Sequence, residues 1–266
     1  MLKQLLLVVF LLILALLITY SLQRYFIYFP SAETPNREDF HAQDMQVIKI
    51  PVADGLTLNA WYKPSVAHKP VILYLHGNSG HIGYRMHLAR QFLSAGFGIL
   101  LLEYRGYGGN PGKPTESGLY EDGRAAMRFL QHEDQHQQIV LYGESLGTGV
   151  ATQLATEFPS CALVLQSAYT SLTALARYHY PWLPLPLMDK YDSLSRIQEI
   201  HAPILMLHGK LDEVVPYSQG LTLFNLANQP KQWVEFPTKG HHDLWSDHFI
   251  HTVIHFINSY CIAQQP

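Results

Sequence analysis

The sequence predicts an α/β domain: a mostly parallel sheet with helices on both faces and a short cap insertion, preceded by an N-terminal transmembrane helix. Three observations carry this. Five continuous apolar runs, at residues 71–75, 98–102, 139–142, 162–165 and 204–207, have the composition of strands buried on both faces. Helix-like segments at residues 82–95, 116–132 and 147–158 separate most of them, with another at 218–227. Such alternation builds a parallel sheet through crossover connections. Ahead of them all lies one uncharged apolar run, residues 5–22.

As a helix rising about 1.5 Å per residue, that run is roughly 27 Å long, close to the hydrocarbon core of a bilayer at about 30 Å. It begins after Lys3 and continues into Thr19-Tyr20-Ser21-Leu22-Gln23-Arg24 with no small-residue cleavage site. Residues 1–24 therefore read as an uncleaved signal anchor. Tyr20, Tyr25, Phe26, Tyr28 and Phe29 would form an interfacial aromatic belt. Lys3 and the terminal amine, set against Arg24 and Arg37, lean the orientation towards the N-terminus inside, with the remaining domain on the far side.

A polar link over residues 25–44 leads to the main domain, residues 45–262. Segments 45–50 and 56–62 alternate in polarity around Ala53-Asp54-Gly55, the pattern of an antiparallel hairpin. The apolar strands follow. One interval, residues 171–202, breaks the alternation, because residues 178–188 are too proline-rich for a regular strand or helix. An insertion of this length between two strands reads as a cap over the end of the sheet, with an apolar underside. Tyr178, Trp182 and Leu183 are its candidate substrate contacts. The competing reading is a surface excursion packed on the core.

Composition narrows the function classes. With 266 residues and a formal net charge of −3, one large domain is expected, and no basic block supports nucleic-acid binding. A disulfide between the two cysteines, Cys161 and Cys261, is open, but sequence cannot place them within bridging distance, and both are read as free or inert. His248, His251 and His255 share one face of the last expected helix. Without H-E-x-x-H or a carboxylate third ligand this is a polar helix face, and no metal or other cofactor is expected.

The chemistry centres on Gly143-Glu144-Ser145-Leu146-Gly147, a G-x-S-x-G stretch between a strand-like and a helix-like segment. A serine at such a turn is a candidate nucleophile, and glycines beside it avoid collisions between the arms of the turn. A serine hydroxyl needs a base and a group to orient that base. Asp212 follows the strand-like run 203–209, and His241 follows the last strand-like segment, 231–237, so the order is Ser, Asp, His. Glu213 and His242 compete for these roles. Neighbouring side chains point apart, and Asp212 and His241 are preferred, with Asp243 expected to cap the final helix. Leu146 N–H, in the first turn of a helix, and Asn78 N–H, in His76-Gly77-Asn78-Ser79-Gly80 after the first buried strand, are the candidate oxyanion donors. His76 is read as a buttress of that loop.

With these residues in view, the chain resembles the α/β-hydrolase superfamily from about residue 45 to residue 260. More narrowly it is similar to the membrane-anchored α/β-hydrolase-domain proteins of the bud-emergence type and the related protein depalmitoylases. The resemblance rests on Tyr25-Phe26-Ile27-Tyr28-Phe29-Pro30, the Asn78 loop and Tyr104-Arg105-Gly106-Tyr107-Gly108. Pro114-Thr115-Glu116-Ser117-Gly118-Leu119-Tyr120-Glu121-Asp122 and the blocks holding Ser145, Asp212 and His241 extend it. It implies the α/β-hydrolase fold and a serine hydrolase that cleaves esters or thioesters through Ser145, His241 and Asp212. Glu144 stands where such relatives often carry arginine or a small residue, and His242 where they carry asparagine. The apolar cap and the anchor favour a lipid-like or other hydrophobic acyl ester. A serine peptidase or amidase, and a non-catalytic membrane-tethered binding protein of the same fold, are the alternatives.

Overall fold

In the computed structural model, which describes residues 2–66, 68–182 and 186–262, the chain opens with helix α1 (Leu2–Leu22) and a 3-10 turn at Gln23–Phe26. Strands β1 (Phe29–Pro30), β2 (Gln46–Pro51), β3 (Thr57–Lys63), β4 (Val71–Leu75) and β5 (Ser79–Gly80) come next. Then α2 (Met86–Ser94), β6 (Gly98–Leu102), α3 (Glu116–Glu133), β7 (Ile139–Glu144), α4 (Leu146–Glu157) and β8 (Ala162–Gln166) alternate. After α5 (Leu172–His179) come β9 (Ile204–Gly209), α6 (Tyr217–Leu226), β10 (Lys231–Phe236) and α7 (Asp247–Ile257).

Eight strands form one sheet in the order β10-β9-β8-β7-β4-β6-β3-β2. Only β2–β3 and β3–β6 pair antiparallel; the other neighbours are parallel. Strands β4, β6 and β8 are buried at every position, as their unbroken apolar runs require. Alternate residues of one strand feed two apolar layers: Leu73, Leu141 and Leu163 on one face, Ile72, Val140 and Val164 on the other. The β2–β3 hairpin turns at Asp54-Gly55, where Gly55 takes φ 88°. The parallel order puts the carboxyl ends of β4, β7, β9 and β10 along one edge, where open α/β sheets build their sites.

Several expectations change. The helix expected over 82–95 is a 3-10 turn at Ile82–Arg85 followed by α2, because His81 Nδ1 accepts from Gly83 N–H and tightens the first turn. The interval 171–202 opens with a regular helix, α5, started by Ser171, whose hydroxyl accepts from Ala174 N–H. Asp243 does not cap the last helix. Ser246 does, while Asp243 accepts from Gly240 N–H inside the preceding turn.

The two cysteines are not free. Cys161 stands just before β8, and Cys261 lies in the π-helical turn after α7 (Asn258–Ile262). Their Cα atoms are 5.3 Å apart and they form a disulfide across 100 residues of sequence. That proximity is created by the sheet and invisible in spacing. At the N-terminus, α1 covers the run expected to span a membrane. Side chains at positions 2, 8, 9, 12 and 13 of this helix lie outside the described ones. Among the described residues no helix is long and apolar enough to cross a membrane.

Candidate active site

Strand β7 delivers Ser145 at the centre of the sheet edge. Its backbone has φ 50° and ψ −117°, a region a non-glycine residue enters only when its surroundings hold it there. The holding groups are visible. Ser145 N–H donates to Gln166 O (2.9 Å), and Ser145 O accepts from Thr148 N–H (2.9 Å) and Thr148 Oγ1 (2.6 Å). Both glycines are obligatory: a Cβ on Gly143 would lie 2.7 Å from Gly147 O, and one on Gly147 would lie 2.0 Å from Leu75 O.

Two loops at the same edge bring up the other groups. Asp212 sits in the turn after β9, where Oδ1 accepts from Val214 N–H (3.0 Å) and Val215 N–H (2.7 Å). The loop after β10 lies against it, with Leu211 N–H donating to Lys239 O at 2.9 Å. His241 Nδ1–H donates to Asp212 Oδ2 (2.8 Å), and Ser145 Oγ–H donates to His241 Nε2 (2.9 Å). Burial pushes the Asp212 carboxyl up, but the bond from His241, its charge and the bond from Val215 outweigh this and hold it below the usual carboxylate range. Glu213 and His242 are exposed, and His242 packs edge-on against the His241 ring with centroids 4.9 Å apart.

Leu146 is the first residue of α4, so its N–H has no carbonyl one turn earlier. The carbonyl of Asn78 accepts from Tyr107 OH (2.9 Å) and Phe29 N–H (2.9 Å), and its side-chain amide donates to Ile27 O (2.7 Å). Among the described residues the Asn78 N–H has no hydrogen-bond partner, and Asn78 lines the same cavity as Ser145. His76, fully buried behind this loop, has Nδ1 at 2.7 Å from Gly77 O and Nε2 at 3.2 Å from Glu103 Oε1.

Ser145, Leu146 and Asn78 line a cavity of about 490 Å³. Leu172, Leu175, Ala176 and His179 of α5 form one wall, together with Trp182 and Leu187. Trp182 thus reaches the cavity, although it remains 73% exposed. Tyr178 does not line it: it is exposed on α5 and packs edge-on against His179. Leu183 lies outside the described residues.

Sequence reasoning missed three parts of this site. Thr19, Gln23, Phe26, Ile27 and Phe29 form a second wall of the cavity, although this stretch reads as anchor and linker. Glu144 ties the Ser145 turn to the Asn78 loop. It accepts from Tyr74 OH (2.8 Å) and from Arg85 Nε and Nη2 (both 3.1 Å), while Arg85 Nη1 donates to Ser79 O (2.9 Å). Burial pushes the Glu144 carboxyl up, and the Arg85 guanidinium more than compensates, holding it below its ordinary range. Finally, Gln166 Oε1 accepts from Tyr142 OH (2.7 Å) and Trp245 Nε1–H (3.0 Å), joining β7 and β8 to the segment after His241.

Residues 66–194 match the family described as serine aminopeptidase, S33. An uncharacterized protein of Mycobacterium tuberculosis is 40% identical over 231 residues, covering 84% of this chain and 82% of that protein. The chain belongs to the α/β-hydrolase superfamily. Within it, protein bem46 of Schizosaccharomyces pombe is 29% identical over 252 residues, covering 87% of this chain and 84% of its own length. The lysophosphatidylserine lipase ABHD12 of Danio rerio is 33% identical over 194 residues, which are 64% of this chain and 51% of that lipase. Among solved structures, an esterase of Pyrococcus furiosus is similar in fold, with a TM-score of 0.74 at 18% identity over 88% of this chain and 98% of the esterase. As an α/β-hydrolase, the chain carries its Ser, Asp and His at the strand ends where this fold builds catalytic sites.

Proposed function

We propose that this hydrolase cleaves carboxylic ester or thioester bonds of hydrophobic acyl substrates through an acyl-enzyme. The observation that carries the reading is the hydrogen-bonded line Ser145–His241–Asp212 opening into an apolar cavity. Ser145 Oγ attacks the acyl carbon while His241 Nε2 takes its proton. The imidazolium, held in its tautomer by Asp212, returns that proton to the departing alcohol or thiol. Water then repeats the sequence and frees the acid. Leu146 and Asn78 N–H hold the oxyanion, each such donor being worth about 3–4 kcal/mol in the transition state.

The family's name raises a second reading, aminopeptidase action. Binding a free α-ammonium next to the scissile bond calls for an anion close to Ser145, and among the described residues the cavity lining includes no aspartate or glutamate. The apolar lining favours an acyl chain, in keeping with the lipase named among the relatives. Hydrolysis rates on p-nitrophenyl acetate, butyrate and octanoate, with aminoacyl p-nitroanilides as controls, test this. Rates that rise with chain length and no anilide cleavage support the ester reading; preferential anilide cleavage contradicts it.

Residues 1–24 anchor the enzyme in a membrane, with the hydrolase domain, residues 45–262, on the side opposite the N-terminus. The uncharged run 5–22 supports the anchor. The Cys161–Cys261 disulfide supports the side, since such bonds persist in oxidising compartments.

A further inference from the structure

The cavity wall that sequence did not reveal is continuous with the anchor. Thr19 lies inside α1, on its last turn, and already lines the cavity that holds Ser145; Gln23 and Phe26, in the following turn, line it too. At 1.5 Å per residue, the cavity mouth lies within a few ångströms of the end of the apolar run along the helix axis. Three hydrogen bonds fix this end of the helix to the cap. Arg24 forms a two-pronged pair with Asp189, and Gln23 Oε1 accepts from Met188 N–H (2.7 Å). Aromatic residues that line the cavity are also exposed, Phe26 at 71% and Trp182 at 73%, with Tyr180 and Phe29 about half exposed, and Tyr25, the chain neighbour of Phe26, is 72% exposed. These side chains come from two segments more than 150 residues apart in sequence. A water-facing surface has no use for such a collar, whereas a headgroup layer accommodates aromatic rings of this kind.

We propose that the cavity opens into the membrane interface, between the end of α1 and the cap, and that its substrate is a single-chain acyl ester dissolved in the same bilayer. This rests on the hydrolase reading and on the anchor. The acyl chain enters sideways along Thr19, Gln23 and Phe26, so its ester arrives at Ser145 while the polar leaving group stays in the headgroup layer. The volume, in the lower half of the roughly 300–1,000 Å³ usual for small-ligand sites, suits one chain better than two.

The test uses the full-length protein in phosphatidylcholine vesicles whose acyl chains carry bromine near the glycerol end. The Trp182 fluorescence is taken as the parent signal minus that of Trp182→Phe. Loss of more than half of this signal to the brominated lipid, with little quenching by acrylamide in the water, is the expected result. A signal that survives bromine and yields to acrylamide overturns the proposal, as does a protein that fails to float with the vesicles. In the same vesicles, Tyr25→Asp should lower the ratio of long-chain monoacyl ester hydrolysis to soluble butyrate ester hydrolysis several-fold; an unchanged ratio overturns interfacial entry. Soluble acetate ester separates the two readings. If the protein leaves it intact, the hydrolase reading fails, while the fluorescence still decides where the mouth lies.

Discussion

Arg24 grips Asp189 across 165 residues of sequence, Nε to Oδ2 at 2.8 Å and Nη2 to Oδ1 at 3.2 Å. The Asp189 side chain is 3% exposed and Arg24 is 39% exposed. Arg24→Gln therefore leaves a buried carboxylate short of its cation, softened by solvent on the arginine side, and should cost about 1 kcal/mol in urea unfolding. Deleting residues 1–30 removes the pair and a cavity wall together. Octanoate ester hydrolysis by the truncated protein should fall more than acetate hydrolysis; equal losses would mean that the wall does not bind the chain.

The three residues of the hydrogen-bonded line should act as a unit. Ser145→Ala and His241→Ala are each expected to lose several orders of magnitude in kcat, and the double variant little more. His242→Ala, outside the proton path, should stay within about tenfold of the parent. An active His241→Ala beside an inactive His242→Ala would exchange their roles.

Glu144 makes stability depend on acid. Its carboxyl is held below its ordinary value by Arg85, so the stabilisation is fully present above the unfolded value near 4.3 and is lost as pH falls through the lower folded value. Glu144→Gln leaves Arg85, only 9% exposed, without a counter-charge, and should cost about 2–3 kcal/mol at pH 7. Below about pH 4 the gap from the parent should narrow, because the parent protonates too. A gap that widens towards low pH contradicts this.

Trp182→Ala tests the cap wall. Each buried methylene contributes roughly 0.8 kcal/mol, so kcat/KM should fall progressively from acetate through butyrate to octanoate, while acetate turnover stays nearly constant. A flat ratio across the series would return this segment to a surface excursion.

The parallel sheet is legible in the sequence because strands buried on both faces must be apolar at every position, as in residues 71–75 and 98–102. Ser145 and Asp212 are legible because each follows such a run, and His241 because it follows the last strand-like segment. The rest is tertiary. Thr19 reads as anchor and Phe26 as linker until the chain folds back over the Asn78 loop, where Phe29–Pro30 pairs with Ser79–Gly80. Cys161 and Cys261 read as unrelated until β8 and α7 bring them together. Glu144 looks like a departure at a variable position, and only the buried Arg85 partner gives it a purpose.

The most direct measurement is to treat the full-length protein with a fluorophosphonate probe and locate the adduct by peptide mass spectrometry. The expected result is one phosphonylated residue, Ser145, with labelling abolished in Ser145→Ala and slowed by orders of magnitude in His241→Ala. Labelling that persists in Ser145→Ala, or an unreactive parent that is demonstrably folded, would contradict a nucleophilic Ser145.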